Sequence, residues 1–184
     1  MTQTRNRSIM KKDLLMLEAS AEKAGLKLNT MVNLSNDKKL ELGKMLWQAF
    51  QGTEDDQGET LEEMKQEVAE TFSGKYGELL EEHSFIVMDA SGHIEAAAMV
   101  TAFRKRLPLL VYLATAPEAR KQGLAGVLLK TAAASLASMK YDELYLVVSN
   151  QNSAARNIYK HAGFVDVGTD WAEVLKNKKM EMGK

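Results

Sequence analysis

Apolar positions along the chain follow two periods, near two and near three and a half residues, and the changes between them mark out its elements. From Leu109 to Thr115, Leu109, Val111, Leu113 and Thr115 alternate with Leu110, Tyr112 and Ala114, which predicts a strand covered on both faces. A polar turn follows. Leu124, Leu128, Ala132, Leu136 and Met139 then recur at spacings of four and three, with Lys130 and Lys140 off the stripe, and predict a helix. Leu144 to Val148 is short, β-branched and aromatic enough to be a buried strand. Asn152 caps a second helix whose stripe is Ala155, Ile158, Tyr159 and Ala162. Gly163 suits the left-handed end of that helix, with Phe164 packing back, and Phe164 to Gly168 reads as a further strand.

Upstream, residues 1–9 read as a loose polar tail, followed by a helix from about Lys11 to Ala24 that ends at Gly25 and carries Met10, Leu14, Leu17 and Ala21 as its stripe. Leu26 to Leu34 is strand-like. Leu40, Gly43, Leu46, Trp47 and Phe50 mark a helix ended by Gly52, and the loop 51–58 leads to Thr60 and Glu63, spaced as a capping box. Leu61, Met64, Val68 and Phe72 are the inward stripe of the helix so capped. A break at Gly74-Lys75-Tyr76-Gly77 precedes a strand from Ser84 to Met88, and Asp89-Ala90-Ser91-Gly92 turns it into a second strand from Ile94 to Phe103. Ala96-Ala97-Ala98 has little β propensity, so the hairpin context alone argues for a strand there. Near the C-terminus, Lys179 to Met182 is open as a last strand and Trp171 to Lys178 as a helical turn.

Composition narrows the chemistry. The 184 residues suit a tail with an added helix over 1–25 and one main domain over 26–184, large enough for a sizeable core. A formal charge of −1 supplies no global basic field for nucleic acid. The absence of cysteine excludes disulfides, thiolate metal sites and an acyl-enzyme on sulfur. His83, His93 and His161 lack metal-ligand spacing, so no metal is expected. Leu14 to Leu17 is too short for the apolar part of a signal peptide and no run could cross a membrane, which makes the cytoplasm the expected location. The added helix is too short to be stable alone and is expected to pack on the domain or on a second copy of the chain, leaving a homodimer open.

Candidate chemistry concentrates between Thr115 and Gly126. A strand, a turn and a helix N-terminus meet there, and a helix N-terminus offers unpaired N–H groups and partial positive charge to a phosphate. Gly123, Ala125 and Gly126 keep the approach clear. Neither G-x-G-x-x-G nor a Walker A sequence is present. Arg120-x-x-Gly123-x-Ala125 instead resembles the R/Q-x-x-G-x-G/A signature of the GNAT N-acetyltransferases. A second segment, Asn152-Ser153-Ala154-Ala155-Arg156-Asn157-Ile158-Tyr159-Lys160-His161-Ala162-Gly163-Phe164, resembles the same superfamily's N-x-x-A-x-x-x-Y-x-x-x-G-F. The two lie in the right order, separated by one helix and one strand.

That resemblance implies an α+β, three-layer fold with a mixed central sheet of six or seven strands flanked by helices, and an extra N-terminal helix. It implies acetyl-CoA as co-substrate, its pyrophosphate held by Arg120, Lys121, Gln122, Gly123, Leu124, Ala125 and Gly126, and its pantetheine arm added as a strand to Leu113, Ala114 and Thr115. A bulge in that strand would free those groups. Asn152 would hold the cofactor or cap its helix, and Tyr159 would protonate the departing sulfur as general acid, unless it is simply an aromatic on the buried stripe. A primary amine of pKa about 10.4 is almost wholly protonated at neutral pH, so a base or water chain is expected. Glu95 is the nearest carboxylate in the hairpin, with a solvated face as its other reading, and Glu118 reads as surface. Glu54-Asp55-Asp56 could attract a cationic acceptor or be merely solvated, and Tyr76 and Trp47 are further pocket candidates. The expected function is acetyl transfer to a small amine, an amino-acid derivative or a protein amine. The alternative is an acyl-CoA-binding module without turnover.

Overall fold

The computed structural model describes residues 6–15, 26–104 and 106–182. Its elements, in chain order, are β1 (Arg7–Asp13), β2 (Lys27–Thr30), α1 (Asn36–Phe50), α2 (Leu61–Phe72), β3 (Glu78–Leu79), β4 (Phe85–Met88), β5 (Ile94–Phe103) and β6 (Leu107–Thr115). There follow α3 (Leu124–Ser138), β7 (Glu143–Ser149), α4 (Ser153–His161), β8 (Val165–Gly168) and α5 (Trp171–Met182). One mixed sheet runs β2-β4-β5-β6-β7-β1-β8, with β3 paired to β5 off that path. The sheet thus has eight strands where six or seven were expected, and the α+β class holds.

The first two helices begin at side-chain caps, and the Thr60–Glu63 box expected from the sequence is the second of them. Ser35 caps α1 by accepting from the Lys38 amide. Thr60 and Glu63 form the reciprocal capping box of α2. At Gly43 the two helices approach so closely that an added Cβ would lie 2.8 Å from the Lys65 Cα. The alanine run of β5 is fully buried from Ala96 to Val100, and both α1 and α3 pack against β5. Small side chains are what allow helices to cover this strand on both sides. In α3 the stripe Leu124, Leu128, Ala132 and Leu136 is buried, while Met139, expected at its end, lies beyond the helix and is 60% exposed.

Two expectations are corrected. Lys11 to Asp13 is not the start of a helix: β1 lies antiparallel between β7 and β8, with Met10 opposite both Leu146 and Asp166. Ile9 and Met10 are buried at 2% and 0% exposure in two different apolar clusters, because a strand inside a covered sheet is apolar on both faces. Leu17 and Ala21 of the expected stripe lie outside the described residues. Residues 179–182, open as a last strand, continue α5 instead. That helix packs Trp171 on Phe103 and Tyr145 at ring separations of 4.9 and 5.7 Å. Lys178 and Lys11 both reach Glu143, tying α5 and β1 to β7.

Candidate functional site

The site begins where β6 leaves its neighbour. Along β5 the register shifts: Met99 faces Tyr112 and Val100 faces Leu110, so Val111 is an extra, bulged residue. On its other side β6 pairs in parallel with β7 only at Leu109–Tyr145 and Leu110–Leu146. Beyond that point the strands part, and Leu113, Ala114 and Thr115 have no ladder partner in β7. An extended ligand could take up their backbone groups on that side.

The chain then turns through Pro117–Ala119 into the exposed residues Arg120 to Gly123. Lys121 and Gly123 adopt left-handed conformations, with φ of 64° and 78°, which swing the backbone into α3. Gly123 is the N-cap and makes no side-chain bond; the first helical bond runs from the Val127 amide to its carbonyl. The amides of Leu124, Ala125 and Gly126 therefore emerge at a helix end with no side-chain cap. A Cβ built on Gly123 or Gly126 would meet nothing within 4 Å, so both glycines border open space at this helix end. The sign of the field at such a helix end suits a phosphate group. Arg120 does not itself reach into it. Its Nη2 donates to the Ala49 carbonyl at 2.9 Å and joins the end of α1 to the loop.

Across the opening, α4 contributes Asn152 and Tyr159, two helical turns apart and on one face. Asn152 is doubly engaged: Oδ1 accepts from the Ala155 amide at 2.9 Å and Nδ2 donates to Asp55 Oδ2 at 2.5 Å. An amide nitrogen has two N–H bonds, so Asn152 keeps one for a ligand. Capping and ligand binding are compatible in this geometry. Tyr159 is half-buried, with its ring 5.9 Å from that of Phe164. Burial pushes its phenol above the usual range, and the charge of Asp55 adds to the shift.

Between α2 and β6 stands a group that the sequence did not single out. Glu67 on α2 accepts from the Tyr76 hydroxyl at 2.5 Å, the Tyr112 hydroxyl at 3.2 Å and Lys75 Nζ at 2.5 Å. Burial raises its pKa, but the bonds from Lys75 and Tyr76 outweigh it and hold the carboxyl below its usual value. Tyr112 adjoins the bulge, and its ring lies 6.2 Å from that of Phe50 at the end of α1. The sequence signal for Glu67 was its position three residues after Met64, on the margin of the inward stripe. Trp47 donates to the Glu59 carbonyl at 3.0 Å. Glu95 lines a depression with Leu26, Lys27, Met88, Asp89 and Ala90, and its carbonyl accepts from the Ala116 amide at 2.7 Å, just past the end of β6. Glu118 is exposed, as expected.

The sequence model of the Acetyltransferase (GNAT) family matches residues 40–164, a span that contains the bulged strand, the cradle and Tyr159. The chain belongs to the GNAT acetyltransferase family. Among solved structures it resembles a GCN5-related N-acetyltransferase from Sphaerobacter thermophilus, with 18% identity and a TM-score of 0.66 over 88% of this chain and 48% of that one. It also resembles the PaiA N-acetyltransferase of Thermoplasma acidophilum, solved in complex with coenzyme A, with 17% identity and a TM-score of 0.61 over 80% of this chain and 94% of that one. These likenesses establish a shared GNAT fold. The chain spans about half the length of the Sphaerobacter protein. No curated protein matches it in sequence. Among the described residues no group of histidine and carboxylate side chains is placed to hold a metal, and no helix is long and apolar enough to cross a membrane.

Proposed function

We propose that the chain is an N-acetyltransferase that moves an acetyl group from acetyl-CoA to a primary amine by direct attack. The observation that carries this reading is the parting of β6 and β7 after two residue pairs, on the strand that leads into the uncapped N-terminus of α3. The coenzyme supplies an activated acyl group on sulfur. The amides of Leu124, Ala125 and Gly126 bind its pyrophosphate, and Leu113, Ala114 and Thr115 align its arm along the open edge of β6. A backbone N–H of that edge polarises the carbonyl under attack.

As the new C–N bond forms and the C–S bond breaks, charge develops on sulfur and a proton leaves nitrogen. Tyr159 meets the first change. Burial raises its pKa above that of a thiol, so the phenol keeps its proton and stabilises the departing thiolate by donating a hydrogen bond to the sulfur. Glu95, whose side chain lines a depression with Leu26, Lys27 and Met88, is not assigned the second change. Water along the cleft between α2 and β6, bounded by the Tyr76–Glu67–Tyr112 cluster, carries the proton from nitrogen. An assay of thiol release from acetyl-CoA with a panel of amines and peptides tests the proposal. Release that depends on the amine is expected. Tight coenzyme binding with no release above hydrolysis would leave a binding module instead.

A further inference from the structure

Asp55 sits in the loop 51–58 and its carboxylate is not spent on the loop itself. That task falls to its neighbours: Asp56 accepts from the amides of Gly52 and Gly58 at 2.7 and 2.8 Å, and Thr53 Oγ1 donates to the Phe50 carbonyl at 2.7 Å. So braced, the loop carries Asp55, half-buried, across to α4, where Oδ2 takes the Asn152 amide. The ion pairs among the described residues all engage other carboxylates. A carboxylate drawn out of water beside a neutral amide and a helix N-terminus is only partly compensated, and a cation completes its surroundings. Its position supplies the rest of the argument. Asp55 lies against the face of α4 that bears Asn152 and Tyr159, and Phe50, which leads into its loop, packs on Tyr112 of the bulged strand. Beyond Tyr112 stands a second carboxylate, Glu67.

We infer that Asp55 selects the acceptor: it receives the cationic amine and turns away amines that carry a carboxylate on the same carbon. The inference rests on the acetyltransferase reading and gives that reading a substrate class. An amine docked at Asp55 lies beside the reacting opening with its carbon chain along Phe50 and Tyr112. A carboxylate on the amine-bearing carbon would bring a further negative charge between Asp55 and Glu67, and repulsion of that kind separates substrates more sharply than added attraction does.

Two matched pairs test this: tyramine against tyrosine, and cadaverine against lysine, each differing only by the carboxylate. In the wild-type chain kcat/KM for the decarboxylated member should exceed that for its amino acid by about tenfold or more. Asp55→Asn keeps an acceptor for Asn152 and removes the charge. It should lower kcat/KM for tyramine about tenfold, leave tyrosine unchanged or improved, and leave coenzyme affinity and melting temperature unchanged. A wild-type ratio near one, or a ratio that Asp55→Asn does not move, overturns the inference. If no amine gives turnover, the acetyltransferase reading fails on its own terms. Calorimetric binding of the same pairs to both proteins then decides the selectivity: equal affinities overturn it, and an Asp55-dependent preference for tyramine upholds it.

Discussion

Replacing Gly123 by valine separates the cradle from the mere shape of the turn. Gly123, the N-cap of α3, has φ of 78°, and an added Cβ there would meet nothing within 4 Å. A β-branched residue in that conformation costs about 2 kcal/mol wherever it is placed. Gly92, in the β4–β5 turn, supplies a matched control, with φ of 87° and nothing within 4 Å of an added Cβ. Both Gly123→Val and Gly92→Val should therefore lower the melting temperature by about 4–8 °C. Only the first adds methyl groups at the N-cap of α3, next to the amides of Leu124, Ala125 and Gly126. Each phosphate bond lost there is worth about 1.5–3 kcal/mol, so coenzyme A affinity should fall about 10- to 100-fold in Gly123→Val and stay within about twofold of wild type in Gly92→Val. Titration calorimetry with coenzyme A, alongside thermal melts, reads both quantities. Unchanged affinity in Gly123→Val, or an equal loss in the two variants, would refute the assignment of the α3 end as the phosphate site.

Other substitutions probe the remaining parts. Tyr159→Phe keeps the ring against Phe164 and should lower kcat by about 10²-fold with little change in coenzyme affinity; an unchanged kcat would return Tyr159 to a packing role. Gly43→Ala would drive a methyl group to 2.8 Å from the Lys65 Cα, and urea unfolding should show a loss of about 1–3 kcal/mol, whereas equal stability would mean that α1 and α2 separate freely. His83 is buried with Nδ1 within 2.7 Å of Ser135 Oγ, and burial pushes its pKa below the usual 6.5 while Glu82 acts the other way. Between the folded and unfolded values the unfolded chain binds more protons, so stability is full above pH 6.5, declines as pH falls below it, and levels off once the folded histidine is protonated. Urea unfolding across that range should show the decline in wild type and a shallower one in His83→Gln; parallel curves would assign the pH dependence to other groups.

What the sequence made legible was whatever depends on short stretches of chain. The Thr60–Glu63 box, the Asn152 cap and the glycine at Gly123 are local devices whose partners lie within a turn or two. The bulge at Val111 was expected from family resemblance, and its register came only with β5 beside it. The first strand was misread for a physical reason. Ile9 and Met10 are adjacent and both buried, which hides the alternation of a strand, while Met10 and Leu14 stand four apart as helical neighbours do. The partners that make this segment a strand, Val147 and Leu146, lie more than a hundred residues away. The same distance concealed the Glu67 cluster and the Asp55–Asn152 contact. Tyr112 meets Glu67 only when α2 packs beside β6, and Asp55 meets Asn152 across 97 residues of chain. Chemistry assembled from such separations leaves no periodic trace, and Glu95, chosen for its nearness along the hairpin, lines a depression with Leu26, Lys27 and Met88.

The central claim is that the open edge of β6 and the cradle of α3 serve acetyl transfer to nitrogen. Incubation of the chain with acetyl-CoA labelled in its acetyl group, in the presence of tyramine, measures this directly by mass spectrometry of the amine. The account predicts labelled N-acetyltyramine formed in step with free thiol, at a rate that falls in both Gly123→Val and Tyr159→Phe. Coenzyme binding without any label reaching the nitrogen of tyramine, cadaverine or a lysine peptide would contradict it.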